Sequence, residues 1–236
     1  MSGHSHWAGV KHKKALTDAK KSKAISKMMN AILIAVKDGP NPETNYKLKI
    51  AIDRAKAVGV LNENIERVLK KASGDLKEDN LEELTYEAYG PENVALLIKA
   101  TTDNRNRTFS EIRQILNNFN GKMADPGSAT WLFEERGVIF ALKEKFKDDL
   151  IDQLIGLGLI DWQDKDGEMM LITEPQSIGK VINKLKEANV EINDGAIQYL
   201  PKNPVKLAKE SEASLERLVE TLLDQADVQD VYINAE

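Results

Sequence analysis

The chain has no cysteine among its 236 residues, which excludes disulfides, thiolate metal sites and a cysteine nucleophile. Histidine is nearly as scarce, confined to His4, His6 and His12. A Ser-His-Asp arrangement in the folded body is therefore excluded. The histidines also fit no zinc pattern, since structural zinc wants four ligands, usually with thiolates, and no HExxH helix occurs. Neither a metal nor a cofactor is expected. No apolar run approaches the roughly 18 residues that span a bilayer, the longest being Ala31 to Val36 and Val94 to Ile98, so no membrane partner is expected. The basic start carries no apolar segment followed by a small-residue cleavage site, which points away from a secretory signal and makes the cytoplasm the default compartment. Glycine-rich nucleotide motifs are missing too, because Gly156-Leu157-Gly158 lacks a third glycine. The expectation is a protein that is not an enzyme.

Hydrophobic content of 42% suffices for a real core, and the length favours two or three compact units. The net charge of -5 conceals a strong asymmetry. Residues 1–72 carry 15 Lys/Arg against 6 Asp/Glu, a balance of +9, and the rest of the chain carries -14. One end attracts polyanions while the remainder repels them.

Apolar spacing predicts a helix from Leu16 to Val36, stopped by Gly39-Pro40. A second follows Asn45 as cap, and a third follows Asn62 as cap with Lys70 and Lys71 near its end. Asp75 to Glu83 reads as an acidic linker. Beyond it the pattern predicts strand Asn93–Ala100, helix Asp103–Phe119 with Phe109, Ile112, Leu116 and Phe119 inward, and strands Gly121–Ala124 and Ser128–Phe133. Next come strand Val138–Leu142, helix Lys145–Leu157, strands Leu159–Gln163 and Glu168–Thr173, helix Pro175–Ala188 and strand Glu191–Tyr199, the βαββαβ order of a ferredoxin-like unit. Helix Val205–Leu223 and strand Val228–Ile233 supply the helix and strand that the interrupted unit lacks. The fold class is α+β: a three-helix domain with a basic arm (1–74) and two ferredoxin-like α/β domains, one (137–200) inserted into the other (75–136 with 201–236).

Three stretches carry candidate chemistry. In the basic arm Lys11, His12, Lys13, Lys14, Lys20, Lys21, Lys23 and Lys27 surround a single acid, Asp18, with Trp7 available either to stack on a base or to anchor the arm. Such a run attracts phosphates by Coulomb forces and counterion release, and its lysine excess favours backbone contact over base reading. Thr101 to Thr108 lies where a strand meets a helix. Its Asn104, Arg105 and Arg107 could hold an anion at the helix start, or Thr102 or Asp103 could cap the helix while Arg107 pairs with Glu111. Tyr86-Glu87-Ala88-Tyr89-Gly90-Pro91 marks a turn whose tyrosines favour packing. The aromatic strand pattern of an RRM is absent.

Gly3-His4-Ser5-x-Trp7, Lys11-His12-x-Lys14, Asp18-Ala19-Lys20, Asn45-x-x-Leu48, Ala51-Ile52 and Ile65-Glu66-Arg67 resemble the YebC/PmpR family. So do Tyr86-Glu87-x-Tyr89-Gly90-Pro91, Thr102-Asp103-Asn104-Arg105-Asn106-Arg107-Thr108 and Gly127-Ser128-x-x-Trp131-x-Phe133, and the likeness runs nearly end to end. The resemblance implies a cytoplasmic, non-enzymatic, three-domain protein that binds DNA as a transcriptional regulator. Some relatives, among them the mitochondrial translational activator of cytochrome c oxidase subunit I, act instead on ribosomes, and bacterial members are implicated in translating proline-rich sequences. The candidate nucleic-acid contacts are His4, Ser5, Trp7, Lys11, His12, Lys13, Lys14, Lys20, Lys21, Lys23, Lys27, Asn104, Arg105 and Arg107. The target is DNA or ribosomal RNA, and the acidic α/β body is left to form a homodimer or meet another protein.

Overall fold

The computed structural model describes residues 18–73, 81–165 and 167–235. Three helices open it: α1 (Asp18–Ala35), α2 (Tyr46–Ala57) and α3 (Asn62–Ser73). Asn45 caps α2 as its sequence position predicts, its side chain accepting from the Leu48 amide at 3.1 Å. The same side chain donates to the carbonyls of Ala35 and Gly39 at 2.7 and 2.8 Å, which ties the end of α1 to the start of α2. Asn62 does not cap α3 but is its first helical residue, since the amide of Ile65 already bonds the carbonyl of Leu61. Ile32, Leu48, Ala55 and Ile65 form the buried seam among the three helices.

The first sheet contains β1 (Glu82–Tyr89), β2 (Ala95–Thr102), β3 (Lys122–Met123) and β8 (Val228–Ile233), in the order β3-β1-β2-β8 with antiparallel neighbours. Helices α4 (Arg105–Asn118) and α7 (Lys209–Asp224) accompany it. Two expected elements differ. The stretch taken as linker and turn is the eight-residue strand β1, whose Leu84, Tyr86 and Ala88 alternate with Thr85, Glu87 and Tyr89. Conversely, Ser128–Phe133 is no strand: Thr130–Leu132 is a short 3-10 turn, and the amides of Gly127, Ala129 and Thr130 serve a carboxylate instead of a strand ladder. The element order here is ββαβαβ rather than βαββαβ. Leu96, Ile98, Ile112, Leu116, Leu215, Leu218 and Leu222 are fully buried in the core between this sheet and its helices. Phe109, expected inward, is 39% exposed and meets Tyr86 at a 53° tilt with centroids 6.2 Å apart.

The second sheet is built from β4 (Phe133–Leu142), β5 (Leu159–Lys165), β6 (Glu168–Thr173) and β7 (Ile192–Pro201), with α5 (Asp148–Gly156) and α6 (Ile178–Glu187) between them. Its order, β5-β6-β4-β7, is that of a ferredoxin-like βαββαβ unit. The chain forms two compact units, one holding the described residues up to Phe133 and from Pro201 onward, the other Glu134–Leu200. The predicted helix from Val205 starts later, at Lys209, because Val205 is committed elsewhere: its amide bonds the carbonyl of Asn234 at 2.7 Å in a parallel bridge with Ala235.

Candidate nucleic-acid interface

Of the predicted contacts, His4, Ser5, Trp7, Lys11, His12, Lys13 and Lys14 lie outside the described residues. Lys20 and Lys21 fall on the first turns of α1. Lys23 and Lys27, one turn apart on the same helix, engage a different partner from the one expected. Lys23 Nζ donates to the carbonyl of Asp224 at 3.3 Å, and Lys27 Nζ donates to that of Leu223. Both carbonyls belong to the last turn of α7, whose partial negative charge a cation satisfies. These two lysines therefore pin the basic helix to the α/β portion of its own unit.

The Thr102–Thr108 stretch is a knot of side chains. Asn104, rather than Thr102 or Asp103, caps α4, accepting from the Arg107 amide at 3.1 Å. Thr102 Oγ1 accepts from the Asn104 amide at 2.9 Å and lies 2.8 Å from Thr108 Oγ1. Arg107 reaches Asp103 at 2.9 Å and Asp227 at 2.9 and 3.2 Å, and does so in place of the expected Glu111. Glu111 instead accepts from Gln225 Nε2 at 2.8 Å. Thr108 Oγ1 donates to Asp227 at 2.6 Å, and the Gln225 side-chain oxygen accepts from the amides of Asp227 and Val228, both at 2.7 Å. Burial pushes the Asp227 carboxyl up, but hydrogen bonds from Thr108, Arg107 and Gln225 outweigh it and hold the group below the ordinary carboxylate range. Arg105 stands apart: its side chain is 65% exposed, with Glu82 at 3.7 Å. Two of the three predicted residues in this stretch are thus built into the fold, and Arg105 faces solvent.

Sequence reasoning assigned no role to Glu87, and it organises a third region. Although only 8% exposed, its carboxylate accepts from the amides of Gly127 and Ala129 at 2.6 Å and of Thr130 at 2.9 Å. Burial raises its pKa, and these three donors more than compensate, lowering it overall. Tyr89 Oη and Trp131 Nε1 both donate to the carbonyl of Ser128 at 2.9 Å. Two motifs forty residues apart, Tyr86-Glu87-x-Tyr89 and Gly127-Ser128-x-x-Trp131, are one assembly. At its outer end Trp131 is 64% exposed. The available sequence signal was an acid at a strand position bounded by apolar neighbours, where only a satisfied charge is tolerated.

A three-helix segment, two four-stranded antiparallel sheets and a basic N-terminal third define a class of mixed α/β proteins. Residues 5–75 match the model of the TACO1/YebC protein N-terminal domain, and residues 81–235 that of the TACO1/YebC second and third domain. The chain is 42% identical over 239 residues to a protein of Caldanaerobacter subterraneus subsp. tengcongensis named as a probable transcriptional regulatory protein, covering all of this chain and 98% of that one. A protein of the same description from Thermotoga maritima is 42% identical over 240 residues, covering all of this chain and 94% of its own length. The crystal structure of a conserved hypothetical protein from Aquifex aeolicus superposes with a TM-score of 0.87 at 36% identity, covering 98% of this chain and 97% of that one. The chain belongs to the TACO1/YebC family.

Proposed function

We propose that this chain is a non-enzymatic, cytoplasmic regulatory protein that binds nucleic acid, acting as a DNA-binding transcriptional regulator. The observation that carries the reading is the charge division, +9 over residues 1–72 against -14 elsewhere. A surface of that kind holds a polyanion at one end and keeps the acidic body off it. The names of the relatives, transcriptional regulatory proteins, point the same way. In this reading Lys11, Lys13, Lys14, Lys20 and Lys21 supply phosphate contacts, His4, Ser5, Trp7 and His12 add contacts from the same arm, and Arg105 adds one from the α4 start. Lys23 and Lys27 position the helix that bears the arm. The acidic body serves a homodimer or a protein partner.

A second reading, a ribosome-associated translation factor, is favoured by the weakness of any base-reading device. Lysines outnumber arginines in residues 1–72 by 13 to 2, and Arg107 and Asn104 are engaged within the protein. Phosphate contacts without base contacts suit ribosomal RNA equally well. Crosslinking in cells followed by sequencing of bound nucleic acid separates the two. Enrichment of discrete promoter segments supports transcription, and recovery of ribosomal RNA alone transfers the function to translation.

A further inference from the structure

Trp131 combines three properties that a residue serving only to fill space does not need. It is 64% exposed, it sits on a turn held by three amide hydrogen bonds to buried Glu87, and its indole N–H is tied back to the Ser128 carbonyl at 2.9 Å. The ring is therefore set in place before any partner arrives, so that little ordering entropy remains to oppose stacking. Beside it, Lys202 Nζ donates to the Trp131 carbonyl at 2.9 Å, and the Lys202 amide bonds the carbonyl of Leu132 at 2.9 Å. An ammonium has three donors, and this contact uses one. An aromatic face and a cation are thus fixed to the same three-residue turn by backbone contacts.

We propose that Trp131 and Lys202 form a subsite for one unpaired nucleotide of a single-stranded nucleic acid, with the indole stacking on the base and the ammonium taking an adjacent phosphate. The surroundings favour this occupant over a protein. Asp125, Pro126, Gly127 and Thr130, close to Trp131 in sequence, are exposed and form no apolar cluster, whereas a protein interface is centred on several clustered hydrophobic anchors. An exposed aromatic beside a cation matches the size and charge of one nucleotide. The subsite rests on the nucleic-acid reading above and sharpens it, since an unpaired base offers its whole face to an indole without any unstacking of a duplex.

Fluorescence anisotropy of the full chain with labelled oligoadenylate, its deoxy counterpart and a mixed-sequence duplex tests the proposal. Trp131→Ala is expected to weaken single-strand binding by about tenfold and to leave duplex binding unchanged. Trp131→Phe, which lacks the indole N–H but keeps a ring, is expected to retain most of the affinity. This separates stacking from loss of the Ser128 bond. Lys202→Ala is expected to weaken single-strand binding and lower its salt slope by about one phosphate equivalent. Loss with both oligomers identifies base stacking irrespective of sugar, and loss with the ribo-oligomer alone identifies RNA. Wild-type binding that Trp131→Ala leaves intact, or an equal loss on duplex, overturns the subsite while the broader function stands. Wild-type failure on all three probes overturns both.

Discussion

Arg107 on α4 and Asp227 at the entrance to β8, 120 positions apart in the chain, meet at 2.9 Å. Through this pair the Thr102–Thr108 motif closes the two ends of one sheet unit, because β2 feeds α4 and α7 feeds β8. Asp227 also takes the Thr108 hydroxyl at 2.6 Å, so its carboxylate is the point on which two residues of the motif converge.

Removing that point exposes the dependence. Asp227→Ala leaves buried donors without their acceptor and is expected to cost about 1–3 kcal/mol, read by chemical denaturation. Arg107→Ala is expected to lower Tm as well, while Arg105→Ala leaves Tm unchanged and reduces nucleic-acid affinity. Equal Tm for all three variants would refute the structural role.

Acid stability follows from the same carboxylate and from Glu87. Both are held below the ordinary carboxylate range in the folded chain. Each therefore contributes stability that is present above the unfolded-state value near 4 and fades as pH falls through the lower folded value. Tm is expected to drop more steeply below about pH 4 in the wild type than in Asp227→Asn or Glu87→Gln. Both variants start from a lower Tm at neutral pH. Parallel acid limbs in all three proteins would contradict this origin.

Glu87→Ala removes the acceptor of three amides and is expected to loosen the turn carrying Trp131. Hydrogen exchange at Ala129 and Thr130, whose amides bond Glu87 in the wild type, is expected to accelerate selectively, ahead of the β2 amides. Uniform acceleration across the sheet would mean that the carboxylate holds the whole unit rather than the turn.

Lys27→Glu sets a negative charge against the last carbonyls of α7 and is expected to destabilise the chain more than Lys20→Glu does. Thermal melts of the two variants check this. Equal shifts would deny Lys27 its place at the Leu223 carbonyl.

The helices were legible because their apolar residues recur at a 3.6 period, as Leu150 and Leu154 on α5 illustrate, and the inserted sheet unit because short apolar runs such as Met169 to Ile172 on β6 are bounded by turn residues. Strand β1 was not, because Glu82 and Glu83 read as the end of an acidic linker and Tyr86 to Pro91 as a turn, and nothing in the local sequence reveals the amides that satisfy Glu87. Ser128–Phe133 was misread for the complementary reason: its β-compatible residues surrender their amides to that acid. At the candidate site, the capping chemistry of Asn104 was visible as a residue type, but the choice between Glu111 and Asp227 for Arg107 depends on a strand 120 positions away. That Lys23 and Lys27 also reach the end of a helix was not legible, because charge alone does not show what lies within reach.

Binding to promoter duplex and to ribosomes at two salt concentrations, comparing the wild type with Lys13→Glu/Lys14→Glu/Lys20→Glu, addresses the basic arm itself. Phosphate contact predicts that the triple reversal weakens binding strongly and lowers the slope of log affinity against log salt by about three phosphate equivalents. Unchanged affinities and slopes on both targets would contradict a polyanion-binding arm.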